Sequence, residues 1–487
     1  MDSANIYHGE QGRIIYKIYF KISRLFIFEL FALAVISALF LLLLLGCAGA
    51  KQVEVPLEIW NKTIGGDYLD IGYGAAIDSD NNIIVTGATD SFGSGYSDAW
   101  TLKYDPDGNL LWKRTAGDIY NDRGHDVAVD SENNIIVTGT TGSEETNFDF
   151  FTIKYDPEGS VIWKKFAGGS EGDIGFGTAV DSKDNIIVTG FTSSYGAGGE
   201  DVWTIKYSPH GDVLWNRTEG GIYNDSAMAV AIDTDDNIIV AGVISSFDDG
   251  GSDFDCWIIK YDAGGNMIWN TTSGGDERDE CYTVSVDAKG NIIVSGATKS
   301  FRGIYYYDSA LWTIKYDGVG NMIWNRTTGG SNFDGGFGIA ADRDNNIIAA
   351  GYTGSFGLGY TDLWLIKYDP WGNIVWNRTE GSYFADYGFD VAIDRDNNII
   401  AVGGLSSYED EADVWIIKYK TRIKQVTEVW GGDGKNDAGD GITGEGSKDS
   451  TYKKGEDKSI YMNFIIIGAL VLLLIVLFFI GTRKRSN

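Results

Sequence analysis

The stretch Asn185-Ile186-Ile187-Val188-Thr189-Gly190 decides the fold, because close copies of it recur along the chain. A loop separates it from a second string, Trp203-Thr204-Ile205-Lys206-Tyr207, and a short turn leads to a third, Val213-Leu214-Trp215. The Asn-Ile-Ile string begins at seven positions, 51 to 55 residues apart: Asn82, Asn134, Asn185, Asn237, Asn291, Asn346 and Asn398. Self-similarity at this period indicates a repeat architecture.

Each copy has the pattern of four β-strands. The second string places Trp203, Ile205 and Tyr207 on one face and Thr204 and Lys206 on the other, which is the period of a strand. Asp, Asn and Gly cluster between the strands, as they do in tight turns, and no helical pattern intervenes. The sequence therefore predicts an all-β fold, a seven-bladed β-propeller of four-stranded antiparallel blades over residues 55–430.

Two segments compete to complete the last blade. Residues 57–63 have the pattern of a fourth strand with no first three strands before them, and residues 425–430 have a similar pattern after the last copy. We favour the N-terminal strand, which closes the ring by pairing the two ends of the repeat array.

The repeat units, V-A-x-D-x-x-x-N-I-I-V-T-G and W-T-I-K-Y-D-P-x-G-N-x-I-W, resemble the SBBP-type β-propeller repeats of bacterial and archaeal surface proteins, over about residues 55–430. The resemblance implies a secreted or surface protein and carries over no catalytic residue. A weaker likeness links Tyr-Asp-x-x-Gly-Asn-x-x-Trp to the tryptophan-docking segment of quinoprotein propellers. The chain departs from those enzymes in its seven copies and in lacking an adjacent-cysteine pair.

The two ends of the chain carry membrane signals. Residues 1–50 contain basic residues and then an apolar run over 25–45, which predicts a signal peptide or a retained signal anchor; a lipobox-like sequence makes Cys47 a lipidation candidate. Residues 461–482 predict a transmembrane helix, residues 483–487 a basic cytoplasmic tail, and residues 431–460 a flexible polar stalk. We expect the protein in the cell membrane, with the propeller on the extracellular side.

The formal charge of −30 makes nucleic-acid binding improbable, since phosphate backbones are repelled. Six Asn-x-Ser/Thr sequons are glycosylation candidates on an extracellular domain. They begin at Asn61, Asn216, Asn224, Asn270, Asn325 and Asn377.

One Asp recurs eight residues before the Asp that ends each first strand, near the mouth of the predicted channel. The seven are Asp70, Asp122, Asp173, Asp225, Asp279, Asp334 and Asp386. Together they are candidate ligands for Ca²⁺; in the alternative that we favour, each caps its own turn and no cofactor is bound. Turns such as Asp78-Ser79-Asp80-Asn81-Asn82 are similar to the start of calcium loops, but they lack the later Gly and Glu and predict hairpin turns.

Seven mid-strand lysines, of which Lys206 is one, need an acidic partner. We expect that partner to be the Asp at the start of a third strand, in a pairing between blades. The candidates are Asp98, Asp149, Asp201, Asp255, Asp362 and Asp413. Cys256 and Cys281 fall on adjacent blades about two strand spacings apart, so no disulfide is expected between them.

Exposed aromatics on the longer loops are the candidate binding residues. Three consecutive tyrosines, Tyr305, Tyr306 and Tyr307, lie in one of these loops, and Tyr96 and Tyr360 lie in two others. Aromatic side chains on rigid loops stack on sugars or anchor protein partners. The sequence favours a non-enzymatic binding, adhesion or structural module whose ligand is an extracellular protein or glycan. The alternative is an extracellular enzyme, quinoprotein-like or polysaccharide-active.

Overall fold

The structure, a computed structural model, describes residues 50–142, 148–245, 254–301, 309–407 and 411–427, together with Val35 and Ser37. Within these ranges the chain forms 28 β-strands in seven four-stranded antiparallel sheets. The innermost strand of each sheet contacts that of the next, and the seventh also contacts the first, so the ring is closed. The predicted all-β, seven-bladed propeller is confirmed.

The first strand, β1 (Ala50–Ile64), precedes the first blade; the other strands follow from the channel outward, four in each of blades 1 to 6 and three in blade 7. Blades 1 to 3 are β2 (Asp70–Ile77), β3 (Ile83–Thr89), β4 (Asp98–Tyr104), β5 (Leu110–Ala116); β6 (Asp122–Val129), β7 (Ile135–Gly142), β8 (Phe148–Tyr155), β9 (Val161–Ala167); β10 (Asp173–Val180), β11 (Ile186–Thr192), β12 (Asp201–Tyr207), β13 (Val213–Glu219). Blades 4 to 6 are β14 (Ser226–Ile232), β15 (Ile238–Ser245), β16 (Phe254–Tyr261), β17 (Met267–Ser273); β18 (Asp279–Val286), β19 (Ile292–Thr298), β20 (Ala310–Tyr316), β21 (Met322–Thr328); β22 (Asp334–Ala341), β23 (Ile347–Thr353), β24 (Asp362–Tyr368), β25 (Ile374–Glu380). Blade 7 has β26 (Tyr387–Ile393), β27 (Ile399–Leu405) and β28 (Asp413–Thr427).

Blade 7 is completed by the N-terminal strand, because β1 pairs with β28 as its fourth strand. The favoured closure is therefore confirmed. Residues 425–427 of the competing segment continue β28 and pair with residues 50–52, and residues 428–430 lie outside the described residues. Beyond the blade, residues 50–57 and 420–427 form a two-stranded antiparallel extension, which we name the closing ribbon.

The propeller has two unlike faces. The first-to-second and third-to-fourth connections are short turns and share one face, the turn face, from which the closing ribbon also extends. The second-to-third and fourth-to-first connections are longer and form the opposite loop face. In the turn after β2, Asp78 Oδ1 accepts the backbone N–H groups of Asp80 and Asn82 at 2.9 and 2.8 Å, and Asn81 has a φ of 64°. The hairpin interpretation of these Asp-rich turns is thereby confirmed.

In five blades the fourth-strand Trp fastens its blade to the next one through a hydrogen bond. Trp112 Nε1 donates to the carbonyl oxygen of Pro157 at 3.0 Å, and its ring covers Gly159 in the same turn. Gly159 has a φ of 83°, and a Cβ there would lie 3.0 Å from the Trp112 ring, so only glycine fits. Trp60, Trp163, Trp215 and Trp324 make the same contact with the turn of the next blade, which explains the Gly and Trp of the repeat.

A buried ion pair lies within each blade, and its acidic partner differs from the one expected. Lys206 Nζ is 2.8 Å from Asp181 Oδ2, the Asp that ends the first strand of the same blade. The seven pairs are Lys103–Asp78, Lys154–Asp130, Lys206–Asp181, Lys260–Asp233, Lys315–Asp287, Lys367–Asp342 and Lys418–Asp394. The predicted pairing with the Asp at the third-strand start was wrong. That Asp lies at the opposite end of the strand, five residues or about 16 Å from the Lys, and Asp201 instead caps the loop before it through the Ala197 N–H.

Cys256 of β16 and Cys281 of β18 form a disulfide, which the sequence analysis did not expect. Their Cα atoms are 4.9 Å apart because the innermost strand of each blade lies across the third strand of the preceding blade. In blade 6 the residue equivalent to Cys281 is Gly336, where an added Cβ would lie 3.2 Å from Leu311 on the preceding third strand. The prediction placed the two strands about two strand spacings apart along the blade, whereas they cross in direct contact.

The chain divides into two compact units, Met1–Ile442 and Thr443–Asn487. The propeller belongs to the first, and no residue of the second is among those described. Within the described part of the chain, no helix has both the length and the apolar character needed to cross a membrane. The predicted signal or anchor (apart from Val35, Ser37 and Ala50), the stalk, the transmembrane helix 461–482, the tail and Cys47 lie outside the described residues.

Candidate functional site

The predicted tyrosines Tyr96 and Tyr360 lie on the loop face and are 75% and 81% exposed. Their loops are fastened to the next blade, through bridges between Ser97 and Asn121 and between Thr361 and Ala385. Tyr360 and Tyr96 therefore stand on constrained backbone. Residues 305–307, the tyrosine triplet, lie outside the described residues.

Fourth-to-first loops add further exposed apolar side chains to this face. The loop that Gly359 contacts contains Tyr383, which is 75% exposed. The others are Tyr68, Ile119, Ile222 and Phe333. A propeller face that exposes this many large apolar groups is typical of an interaction surface.

The aromatics shared by the second-to-third loops have a packing role. Tyr195 lies 5.3 Å from Trp203 between ring centroids, and Phe356 lies 5.4 Å from Trp364. The serine before each ties two loops together, as when Ser194 Oγ accepts the Glu171 N–H at 3.0 Å. These aromatic side chains pack against the third-strand Trp and cover the blade edge.

The seven recurrent aspartates lie at or just before the start of the innermost strands, where they are buried. Asp70 Oδ2 accepts the Gly66 N–H at 2.8 Å, and the other six accept the N–H four residues earlier in the same way. Among the described residues, no three His, Cys, Asp or Glu side chains converge as a metal cluster. The contacts therefore match the alternative in which each Asp caps its own loop.

The sequon asparagines lie at the outer edge or on the loops of the propeller. Five of them are exposed, and Asn377 is half-buried. Asn61 Oδ1 accepts the Trp415 Nε1–H at 2.7 Å, and Asn224 Oδ1 accepts the Glu200 N–H at 3.1 Å. These two side chains thus have local partners as well as exposure.

A ring of unlike side chains lines the central channel, and the sequence analysis missed it. Every innermost strand has a β-bulge, and the unpaired residue of each bulge lines one cavity of about 470 Å³. The seven residues are Tyr73, His125, Phe176, Met228, Tyr282, Phe337 and Phe389. A bulge re-aims one side chain, and here it turns each towards the channel.

The rings of this channel girdle contact one another. Phe176 and His125 are 5.1 Å apart between centroids, and His125 and Tyr73 are 5.8 Å apart. The series continues through Phe389 and Phe337 to Tyr282, at 5.2, 5.6 and 5.0 Å. Six aromatic rings with Met228 thus surround the channel at one level.

Two carboxyl groups follow the girdle, at the next position in blades 2 and 7 only. Asp126 Oδ2 accepts the Thr178 N–H and Asp390 Oδ2 accepts the Ala75 N–H, each at 2.8 Å, so each links its blade to the following one. Both lie deep in the molecule but remain half-exposed to the channel. Burial raises the pKa of Asp126 to about 6; burial and the nearby Asp126 raise that of Asp390 to about 8.

His125 lies beside Asp126 in the girdle. Its Nε2 is 3.0 Å from Thr140 Oγ1, and burial, with Arg123, lowers its pKa to about 4. The imidazole is therefore neutral at pH 7. An alignment of the seven copies would have shown these residues at the fourth and fifth positions before the strand-ending Asp, where large aromatic residues are followed by Asp in two copies only.

No protein-family model matches the chain. It is 23% identical over 496 residues to an uncharacterised WD repeat-containing protein, L264, of Acanthamoeba polyphaga mimivirus, a match that covers 71% of this chain and 36% of that protein. It is also 28% identical over 152 residues to the regulatory protein FlaEY of Caulobacter vibrioides, covering 28% of this chain and 15% of that protein. The chain thus spans about a third or less of the length of these relatives.

Solved structures with a similar fold include the WD40 domain of Neurospora crassa Pan2, with a TM-score of 0.48, 10% identity and coverage of 74% of this chain and 95% of that one. A Dyadobacter fermentans protein of unknown function has a TM-score of 0.43 at 10% identity, covering 75% and 99%. The chain is a seven-bladed β-propeller that is similar in sequence to a WD-repeat protein.

Proposed function

We propose that the protein is a non-enzymatic binding module of the SBBP-repeat type, displayed on the outer side of a cell membrane. Its loop face takes an extracellular protein or glycan as ligand. The observation that carries the proposal is the exposure of Tyr96, Tyr360 and Tyr383 on loops that a rigid scaffold holds. Exposed aromatics of this kind supply large contact areas at a low cost in side-chain entropy.

Three further observations support the extracellular side, and a fourth supports the loop face as the binding surface. The Cys256–Cys281 disulfide is typical of oxidising compartments, and five of six sequons are exposed. The apolar segments 25–45 and 461–482 supply candidate membrane attachment. The closing ribbon leaves the propeller on the turn face, so the described chain ends at Ala50 and Thr427 do not occupy the loop face.

The proposal is tested by binding the purified full-length protein to a glycan and cell-wall array. We compare wild type with a Tyr96→Ser/Tyr360→Ser variant and with a variant in which residues 305–307 are serines. Trp371→Ser is the matched control, because Trp371 is 73% exposed but lies on the turn face. The loop-face variants should lose binding with an unchanged unfolding midpoint, and Trp371→Ser should keep it. Equal loss in the control, or a large fall in stability of the tyrosine variants, would overturn the assignment of the surface.

The enzymatic alternative draws its support from Asp126 and Asp390, a pair of acidic groups present in two blades only. Against it, each carboxyl has a structural role in joining two blades, since Asp126 accepts the N–H groups of Thr178 and Val127, and Asp390 accepts those of Ala75 and Val391. The Trp likeness to quinoproteins is accounted for by blade packing, as at Trp112 and Gly159. Glycoside turnover by the wild type that Asp126→Asn abolishes would favour the enzyme.

A further inference from the structure

We propose that the channel girdle, with Asp126 and Asp390, is a binding site for a small organic cation of the quaternary or tertiary ammonium class. This site is separate from the loop face and does not depend on the function proposed for that face. The cavity of about 470 Å³ is within the roughly 300–1,000 Å³ of small-molecule sites.

The wall of the cavity is largely aromatic. Six of the seven bulge residues are aromatic, and neighbouring rings stand 5.0 to 5.8 Å apart. Aromatic rings attract cations through their negative faces, and cages of several rings suit methylated ammonium groups because these give up water readily. Structural needs alone do not account for the girdle, since the bulge residue of each innermost strand has left the strand pairing and lines open space.

Two carboxyl groups give the cavity wall its negative charge. Asp126 and Asp390 are the acidic groups that line the cavity among the described residues. Each oxygen of the two carboxyls accepts one backbone N–H bond and can accept more, so both keep acceptor capacity towards the channel. Gly74 lies between them: it is next to Ala75, and a Cβ on it would stand 3.1 Å from Asp126 Oδ1. The two carboxyls therefore act on one another with no side chain between them.

The two carboxyl groups differ in their protonation state at neutral pH. With a pKa of about 6, Asp126 is ionised at neutral pH, whereas Asp390, with a pKa of about 8, is mostly protonated. The other titratable groups at this level are Tyr73, Tyr282 and His125, all neutral at pH 7 because burial raises the pKa of the phenols and lowers that of the imidazole. Arg123 acts on Tyr73 and His125 from the loop-face end, and Asp90 acts on Tyr73. Glu280 and Arg278 act on Tyr282. The cavity thus holds about one negative charge, matched to one monovalent cation.

The test measures binding to the purified full-length protein by calorimetry, with choline and its neutral isostere 3,3-dimethyl-1-butanol as probes. Choline should bind at least about tenfold more tightly than the alcohol, because shape and apolar area are equal and the charge alone differs. Its affinity should rise with pH from about 5 to 9 as Asp126 and then Asp390 ionise, while that of the alcohol stays constant. Equal affinities, a flat pH profile for choline, or no choline binding at millimolar concentration would overturn the proposal.

Variants separate the site from general effects on folding. Phe389→Leu keeps an apolar side chain and should weaken choline at least about fivefold while changing the alcohol less than about twofold. Asp390→Asn should remove the upper part of the pH profile. Tyr96→Ser, on the loop face, is the matched control and should leave choline binding unchanged, so failure of this site and failure of the loop-face function give different results. An Asp390→Asn variant with the wild-type profile would contradict the role of the carboxyls, and the pH arm on wild type remains decisive where a variant does not fold.

Discussion

Lys206 and Asp181 each depend on the other, because both are almost wholly buried and lie 2.8 Å apart. Burial raises the pKa of Asp181, but the hydrogen bonds from Lys206 and Asn185 outweigh it, so the pKa is lowered overall. An isolated charge at this depth has no solvent to stabilise it. The ion pair is therefore costly to break from one side.

Lys206→Met should lower the free energy of unfolding by about 3–5 kcal/mol, since it leaves the Asp181 carboxylate buried without its partner. The double variant Lys206→Met/Asp181→Asn should recover part of that loss. Denaturant unfolding monitored by tryptophan fluorescence measures both. An unchanged midpoint for the single variant would show that the pair contributes nothing.

Folding raises the pKa of Asp390, whereas it lowers that of Asp181, so Asp390 makes the folded state less stable as the pH rises. Its pKa is about 8 when folded against 3.8 for a free Asp, so the folded state holds a proton that the unfolded state releases between those values. This contribution to stability is present below about pH 4 and is lost as the pH rises through about 8. Between pH 5 and 9 the thermal midpoint of Asp390→Asn should fall less than that of wild type, because the variant lacks the carboxyl whose bound proton stabilises the folded state. Parallel profiles would contradict the raised pKa.

At the scale of strands, the repeat strings predicted the blades because each string has the residue pattern of one strand and is followed by a turn or loop to the strand that pairs with it. The apolar pair Ile186-Ile187 of β11 is wholly buried, and Trp203, Ile205 and Tyr207 of β12 pack into one core cluster, although every residue of that strand is buried. Contacts between strands of different blades were harder to predict. The disulfide was missed because it depends on how β18 lies across β16, and the period of a strand carries no information on that crossing. The ion pair was expected between blades, but it lies within each blade, at the turn-face end of the third strand.

Some residues of the candidate sites could likewise be predicted from the sequence, and others could not. Tyr96 and Tyr360 were predicted as loop residues, and are exposed, because the repeat strings on either side show where the loop lies. The channel girdle was missed because a β-bulge breaks the alternation from which the facing of a side chain is inferred, so Phe176 and Phe389 had the pattern of core residues. Asp126 and Asp390 stand one position later, where glycine or another small residue occurs in most blades.

The disulfide between β16 and β18 should stabilise the contact of blades 4 and 5 by about 3 kcal/mol, given its loop of 25 residues. Cys256→Ser/Cys281→Ser should lower the unfolding midpoint accordingly, and alkylation of the native protein should leave both cysteines unlabelled until it is reduced. Ready alkylation of both thiols without reductant would contradict the bond.

For the whole molecule, the ring is held closed by β1, which pairs with β28 over its full length. A chain that begins at Gly65 should lose more than about 4 kcal/mol of unfolding free energy or fail to fold, because it lacks the outer strand of blade 7 and with it Trp60, whose Nε1 donates to the Pro106 carbonyl of blade 1. A chain that begins at Ala50 is the matched control and should fold as the full-length protein does. Equal calorimetric unfolding of the two chains would show that closure does not need β1.

The closing ribbon also determines how the propeller would respond to a mechanical load. Ala50 and Thr427 are direct partners at its free tip, and the two strands run antiparallel from there into blade 7. Tension that pulls these two points apart meets the hydrogen bonds one pair at a time, as in opening a zipper, and not all together as in shearing. Blade 7 should therefore open first and at low force in an optical-trap experiment, while the other six blades, whose strands are joined by short hairpins, stay shut.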